Sequence, residues 1–374
     1  MQIYSNVDGI DNKYIENAIE ALSSSVGIKE HVDSQNIISL ISANKVKEAI
    51  TEIAKYLGLP IEINLSYVPK GYRPSANDGF QSNSLVKTDW RGRGAEGITA
   101  QVSIPSNLPF YGTPGMVKFP INVRVSEGCN ENPMTLISVL AHEISHIVLY
   151  SIWHKEKDNE FYTDLTAMIL GFAIVMSFGR KIVKTNSSTQ YGFLSNTTTT
   201  TTNTTTYGYL SDENFDFALD KIEGILKTYR GKKNKLEIKI SGLEKKLREQ
   251  IFTTLYFKKY IQYVDKHLKQ NISKEDGHMI ASFHQANYTD EFESAIRRME
   301  NELKQFATFV RDLDHFSDYN FKEIKKWEET LQSIGANLDT KYYRLRGAVI
   351  VLRKYVSLWY KIQYICKIKP SIVK

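Results

Sequence analysis

Residues 132–151 read NPMTLISVLAHEISHIVLYS, and this stretch decides the fold of the first part of the chain. Asn132 is a good N-cap residue and Pro133 suits the first helical position, so a helix is predicted to begin here and to continue to the end of the stretch. Its apolar residues keep helical spacing. His142 and His146 stand four residues apart and therefore project from one face of this helix.

This histidine pair has the spacing of a zinc site. Two imidazoles on one helical face can bind one Zn²⁺, and a glutamate beside the first can reach a water molecule on the metal. Glu143 holds that position in His142-Glu-Ile-Ser-His146. Apolar neighbours on both sides predict that the three residues lie near a buried face. The alternative is a helix whose polar side chains point to solvent or are satisfied within the core.

A catalytic zinc site needs a third protein ligand and an open fourth position. A pattern with a glycine and a third histidine shortly after the second is excluded, because Leu149 and Ile152 stand there. His154 lies eight residues beyond His146, about 12 Å along a continuous helix, which is too far to share the metal. Glu160 opens the next predicted helix and is the better candidate.

The next predicted helix covers about residues 160–179. Asp164 follows Glu160 at i+4 on the same face, where a carboxylate can hold the second nitrogen of a ligand imidazole. The order His142-Glu-Ile-Ser-His146, then Glu160-Phe-Tyr-Thr-Asp164, resembles the gluzincin zinc metallopeptidases, which carry HExxH on one helix and ExxxD on the next. The flanking Thr163-Asp-Leu-Thr-Ala and Gly171-Phe are similar to compact soluble bacterial relatives of the membrane-bound prenyl-protein peptidase family.

This resemblance implies a set of roles. His142, His146 and Glu160 would be the zinc ligands, Glu143 the general base, and Asp164 the carboxylate that orients a ligand histidine. The resemblance also implies a zincin-like metallopeptidase domain with a small mixed sheet and two active-site helices. The implied activity is that of a zinc metalloendopeptidase, a hydrolase that cleaves a protein or peptide substrate with metal-activated water.

The strand pattern of the first part indicates the α+β class. A helix over 45–57 is followed by an alternating strand over 61–67, and further strands are predicted over 98–104 and 121–125. The mixed order of elements favours α+β over a doubly wound parallel sheet. The strand Ile121–Val125 precedes the active-site helix and is placed to bind an extended substrate by β-augmentation. The alternative is an ordinary edge strand.

Composition and charge divide the chain. With 42% hydrophobic and 24% charged residues, the sequence is neither disordered nor collagen-like. The formal net charge of +6 averages two unlike parts: residues 231–374 hold 28 Lys and Arg against 18 Asp and Glu, and residues 1–230 hold 20 against 24. We therefore predict a zinc metallopeptidase domain over 1–230 and a basic helical domain over 231–374.

The second part is predicted to be all-α. It has no proline before Pro370, and apolar residues between 292 and 313 alternate in steps of four and three. This spacing is typical of a packed helical hairpin or a short coiled coil. We therefore predict three or four long helices. Together they would form a domain that recognises or positions a protein partner or the substrate. A rival hypothesis is a non-catalytic helical scaffold protein that retains a metallopeptidase fold.

Two segments have biased composition. Between Thr185 and Thr206 the chain is largely Ser, Thr and Asn, which predicts a mobile surface loop over about 185–206. The tail from Lys341 to Lys374 has nine Lys and Arg, no acid and six interleaved Tyr and Trp residues. That tail suits nucleic acid or an anionic surface, but helical spacing favours aromatics in the core and lysines on a solvated face.

The remaining signals predict a cytoplasmic protein that is not an integral membrane protein. The N-terminus shows no basic stretch followed by an apolar core. Cys129 and Cys366 lie far apart and form no disulfide framework, which favours a reducing compartment. The longest apolar run, 165–178, is too short for a bilayer and typical of a buried helix.

Overall fold

A computed structural model of the 374-residue chain describes residues 10–72, 87–88, 98–191, 196–267, 271–285 and 288–368. The chain forms two compact units. Unit 1 runs to Thr228 and includes Asp314–Ser317, and unit 2 comprises Tyr229–Leu313 and the residues from Asp318 onward. The division falls two residues before the boundary predicted from charge. The composition of the chain gave no indication that Asp314–Ser317 belong to unit 1.

Unit 1 mixes helices and small sheets, which confirms the α+β class. Its helices are α1 (Asn12–Val26), α2 (Gln35–Ser42), α3 (Val46–Tyr56), α4 (Pro133–Ser151), α5 (Glu160–Ala167), α6 (Ala173–Gly179) and the first part of α7 (Asp212–His267). Its strands are β1 (Ile28–Lys29), β2 (Glu62–Val68), β3 (Lys87–Thr88), β4 (Ala100–Val102), β5 (Pro120–Ser126), β6 (Lys181–Tyr191), β7 (Asn196–Thr206) and β8 (His315–Phe316).

One three-stranded sheet lies beside α4, in the order β2-β5-β4. Strand β2 runs parallel to β5, and β4 runs antiparallel to it. The inward residues are apolar and buried, among them Ile63, Ile121 and Val123. The prediction that residues 121–125 offer an edge to an extended substrate is wrong, because β5 is hydrogen-bonded to a neighbouring strand on both sides.

Two apolar stretches form the interior of unit 1. Helix α4 covers the residues predicted for it, whereas the helix predicted over 160–179 is divided into α5, a π-helical turn at Met168–Phe172, and α6. Pro133–Ser151 and Glu160–Gly179 are each long and apolar enough to cross a membrane, but 89% and 83% of their most apolar windows are buried within the protein. The core helix of a soluble protein has the same properties, so the two helices are weak evidence about membrane location.

The Thr-rich tract forms strands rather than the predicted irregular loop. Strands β6 and β7 pair antiparallel from Lys181 with Thr206 to Tyr191 with Asn196. Residues 192–195, between them, lie outside the described part. Threonine is β-branched and favours extended backbone, so a composition that suggested disorder also suits a hairpin.

Unit 2 consists of helices joined by short turns in its described residues, as predicted. In the helix Tyr288–Arg311, the apolar residues at heptad spacing are buried, including Phe292, Met299 and Phe306. This helix packs against the helix Asp318–Leu352. The helices of unit 2 are the remainder of α7, α8 (Lys274–Gln285), α9 (Tyr288–Arg311), α10 (Asp318–Leu352) and α11 (Leu358–Ile365).

Candidate metal centre

Helix α4 carries three polar residues of the site in its buried middle. His142 and His146 are each 4% exposed, and Glu143 is fully buried. Their orientation toward solvent, one of the alternatives from the sequence, is therefore excluded. Buried ionisable groups are rare unless they are paired or bind a metal.

Helix α5 packs against α4 and carries two further carboxylates of the site, Glu160 and Asp164. Asn159 caps this helix, because its side chain accepts a hydrogen bond from the backbone N–H of Phe161 at 3.1 Å. Glu160 therefore lies in the first helical turn, and Asp164 lies one turn further on the same face. The side chain of Glu160 is 30% exposed, whereas that of Asp164 is 2% exposed.

His142, His146 and Glu160 converge on one point. Oε2 of Glu160 lies 3.0 Å from Nε2 of His142 and 3.2 Å from Nε2 of His146, and one ligand atom from each residue lies within 4.8 Å of the other two. Donors bound at about 2.1 Å around a tetrahedral ion stand about 3.4 Å apart. The three predicted ligands are thus brought together with the spacing that one metal ion requires.

Asp164 is hydrogen-bonded to the ring of His142. Nδ1 of His142 donates a hydrogen bond to Oδ1 of Asp164 at 2.7 Å. Nε2, on the other side of the ring, lies 3.0 Å from Oε2 of Glu160. Metal-bound histidines commonly donate their other ring N–H to a carboxylate in this way, because it fixes both the tautomer and the ring plane.

Thr163 does the same for His146, a role that the sequence did not reveal. Its hydroxyl lies 3.3 Å from Nδ1 of His146 and donates to the backbone carbonyl of Asn159, also at 3.3 Å. Nε2 of the same ring faces the oxygen of Glu160 at 3.2 Å. A cation at this point would be bound by the lone pair of Nε2 and by the carboxylate together.

The ionisable groups of the site shift one another's pKa values. Burial disfavours the ionised form of Glu160, but the imidazoles of His142 and His146 outweigh it and hold the pKa of Glu160 well below its usual range. Burial also disfavours the imidazolium of His142, yet Asp164 and Glu160 raise the pKa of His142 above its usual range. Three carboxyl groups meet two imidazoles here, so a divalent cation bound at this point would be compensated by negative charge.

The segment after β7 closes over the second oxygen of Asp164. Oδ2 accepts the backbone N–H groups of Tyr209 at 2.6 Å and Leu210 at 3.3 Å. Gly208 allows this approach because its φ is +91° and a Cβ there would lie 3.1 Å from Oδ2. Arg180 holds the segment from behind by donating to the carbonyl of Leu210.

The ring of Tyr209 lies against the ring of His142. Their centroids are 5.6 Å apart and the planes are inclined by 23°. Burial raises the pKa of Tyr209, and the negative charges of Glu160, Glu143 and Asp164 raise it further. The phenol consequently stays protonated and keeps its O–H as a hydrogen-bond donor.

His154 is not part of the cluster of His142, His146 and Glu160, in agreement with the sequence argument. Its ring lies 5.2 Å from the ring of Tyr162, and its Nδ1 accepts the backbone N–H of Glu156.

Comparison of the chain with protein-family models, with curated proteins and with solved structures gives no match. The candidate metal centre therefore rests on the geometry of His142, His146 and Glu160.

Proposed function

We propose that this protein is a zinc-dependent endopeptidase of the gluzincin type, with a zincin-like catalytic unit 1 and a helical unit 2 that recognises a protein partner or the substrate. The observation that carries the proposal is the convergence of His142, His146 and Glu160 around one point. Two imidazoles and one carboxylate form a ligand set that catalytic zinc sites use, because three protein ligands leave a fourth position for water.

Glu143 is the proposed general base. It follows His142 directly on α4. Its negative charge is one of those that raise the pKa of Tyr209, after burial and the charge of Glu160. A zinc ion bound at the three ligands would supply a Lewis acid that activates water and polarises a peptide carbonyl. Glu143 would take a proton from that water onto a carboxylate oxygen and pass it to the leaving amine.

Tyr209 is the proposed donor for the developing oxyanion. Its ring is held against His142, and its backbone N–H is fixed on Asp164. A preorganised O–H donor stabilises negative charge on the carbonyl oxygen without reorganisation. Tyr207, the other tyrosine that follows the Thr-rich strands, hydrogen-bonds Thr99 instead.

A second candidate is a structural metal site in a non-catalytic scaffold protein. The observation that favours it is burial: Glu143 is 0% exposed and both histidines are 4% exposed. Structural zinc sites are closed, whereas a catalytic site must admit substrate. In the described residues, the 30% exposure of the Glu160 side chain is what opens the cluster to solvent.

Cleavage of an unfolded protein substrate by the purified full-length chain separates the two candidates. We expect zinc-dependent cleavage that a chelator abolishes and added zinc restores. Glu143→Gln should keep stoichiometric zinc and lose about 10²-fold or more of the rate, because proton transfer is lost while the ligands remain. The exposed Glu127→Gln is the matched control and should cleave like the wild type. A wild type that binds zinc without cleaving any peptide would favour the scaffold, and an active Glu143→Gln would refute the mechanism.

We also propose a cytoplasmic location. Cys129 and Cys366 are both free in the structure, as expected in a reducing compartment. Accessibility of both thiols to a cell-permeant label in unbroken cells, without prior reduction, tests this; a thiol that reacts only after reduction would contradict it.

A further inference from the structure

The last helix of unit 2 has two unlike faces. One face of α11 packs on α7 through tyrosines: the ring of Tyr360 lies 5.2 Å from that of Tyr263, and the ring of Tyr364 lies 5.1 Å from that of Tyr256. The hydroxyl of Tyr260 also donates to the carbonyl of Tyr360 at 3.1 Å. These contacts fix the helix in place and use its aromatic side chains for packing.

The opposite face is apolar and exposed. At 100° per residue, Leu358, Trp359, Ile362 and Ile365 fall on one side of the helix, and their exposed fractions range from 40% to 72%. Ile368, just beyond the helix, is 46% exposed. Single exposed apolar residues are normal on protein surfaces, but a contiguous group of this kind marks an interaction site.

Two lysines lie next to this face, in a segment of the chain that is basic overall. The chain from Lys341 to its last residue carries nine Lys and Arg and no Asp or Glu. Lys361 lies on the flank of α11 next to Ile365, and Lys367 follows the helix. Asp276 of α8 lies 3.7 Å from Lys354, and Glu291 of α9 lies 2.8 Å from Lys341, so these two positive charges are compensated. The apolar face therefore has a basic border.

We propose that the exposed face of α11 docks on an anionic lipid bilayer. Trp359 and the isoleucines would enter the boundary between headgroups and acyl chains, and Lys361 and Lys367 would lie among the lipid phosphates. An amphipathic helix with Trp, Leu and Ile on one side and lysines beside them binds in the plane of the interface. Anionic lipids of the cytoplasmic leaflet attract such basic segments.

The side chains on this face favour lipid over nucleic acid. Single-stranded nucleic acid binds to aromatic platforms on which its bases stack, but Tyr360 and Tyr364 are used against α7, and three of the four residues on the exposed side are aliphatic. They also favour lipid over a second copy of the chain. A second copy has no acidic residue between Lys341 and its last residue to pair with Lys361 and Lys367, whereas lipid phosphates supply that charge.

Vesicle binding by the full-length protein tests this proposal. We expect co-sedimentation with vesicles of phosphatidylcholine and phosphatidylserine, weak binding to phosphatidylcholine alone, and a blue shift of tryptophan emission on binding. Trp359→Phe should retain binding and lose the blue shift, because the reporter is removed while the face stays apolar. Lys361→Glu with Lys367→Glu should weaken binding about tenfold.

A triple substitution addresses the face itself. Trp359→Ser with Ile362→Ser and Ile365→Ser should reduce vesicle binding about tenfold or more at unchanged thermal stability. Ile238→Ser is the matched control, since Ile238 is 72% exposed elsewhere in unit 2. Unchanged vesicle binding by the triple variant would overturn the proposal. The proposal would also be overturned if the wild type did not bind vesicles but formed a dimer, or bound single-stranded nucleic acid, and the triple substitution abolished that dimer or that binding.

Discussion

Nδ1 of His142 and Oδ1 of Asp164 lie 2.7 Å apart in the interior of unit 1. The other oxygen of this carboxylate accepts two backbone N–H groups, from Tyr209 and Leu210. One buried carboxylate thus joins α4, α5 and the segment after β7. The orientation of the first candidate ligand depends on all three.

Asp164→Asn should weaken zinc binding about 10-fold to 100-fold, because an amide has one acceptor oxygen for donors on both sides. The dissociation constant is measured by competition with a chromogenic chelator. Asp158→Asn is the control, since Asp158 is outside the cluster and accepts from the hydroxyl of Tyr150. Equal affinities for Asp164→Asn and the wild type would show that this carboxylate does not orient a ligand.

Thr163→Val should weaken zinc binding about tenfold, and Thr163→Ser should retain most of it. Valine removes the hydroxyl that lies 3.3 Å from Nδ1 of His146, whereas serine keeps it. Thr166→Val is the matched control, because Thr166 is buried on the same helix and its hydroxyl bonds the carbonyl of Tyr162. If both valine variants lower zinc affinity equally, the effect comes from packing and not from the hydrogen bond.

Zinc should raise the melting temperature of the protein. A ligand that binds the folded state adds about 2.7 kcal/mol at a free concentration of 100 times its dissociation constant, which corresponds to about 5–10 °C for a domain of this size. The shift should be lost in His146→Ala. Calorimetry of the chelator-treated protein with and without zinc measures it, and an equal shift in His146→Ala would place the bound zinc elsewhere.

Tyr209→Phe should keep zinc and the ring contact with His142, and should lower kcat for peptide hydrolysis about 10²-fold with little change in KM. The hydroxyl is the group removed, and it acts on the developing oxyanion. Tyr207→Phe provides the comparison and should be nearly normal. A larger loss in Tyr207→Phe than in Tyr209→Phe would reverse the assignment of the donor.

Gly179→Ala should destabilise unit 1 by about 1–3 kcal/mol, as overpacking does. A Cβ at this position would lie 2.0 Å from the hydroxyl of Ser138 and 2.3 Å from the carbonyl of Met134, so α6 must move away from α4. Gly224→Ala in α7 meets no atom within 4 Å and should stabilise by up to about 1 kcal/mol. Melting temperatures of the two variants should therefore shift in opposite directions, and a shift in the same direction would refute the close packing.

Local signals predicted the parts of the site that lie within one or two turns of helix. Asn132, Pro133 and the apolar spacing were sufficient for α4, because capping and periodicity act over a few residues. The i+4 spacings placed the histidines on one face and Glu160 with Asp164 on another. The convergence of these two faces followed only from the resemblance to a zinc peptidase family, and the structure brings the residues together.

Features that depend on distant pairing were missed. The central place of β5 is set by β2 and β4, which lie far from it in the chain, and strand order leaves no periodic signal. The pairing of β1 with β8 joins Ile28 to Phe316 in the same way. The role of Thr163 depends on the position of His146 across two helices, so a single threonine gave no indication of it.

The zinc content of the purified full-length protein tests the central claim most directly. Elemental analysis should find one zinc ion for each wild-type chain. It should find none in the variant that carries both His142→Ala and His146→Ala, while Glu143→Gln keeps its zinc. A wild-type protein without zinc after purification and reconstitution, or a double variant that retains stoichiometric zinc, would contradict the assignment of His142, His146 and Glu160 as a zinc site.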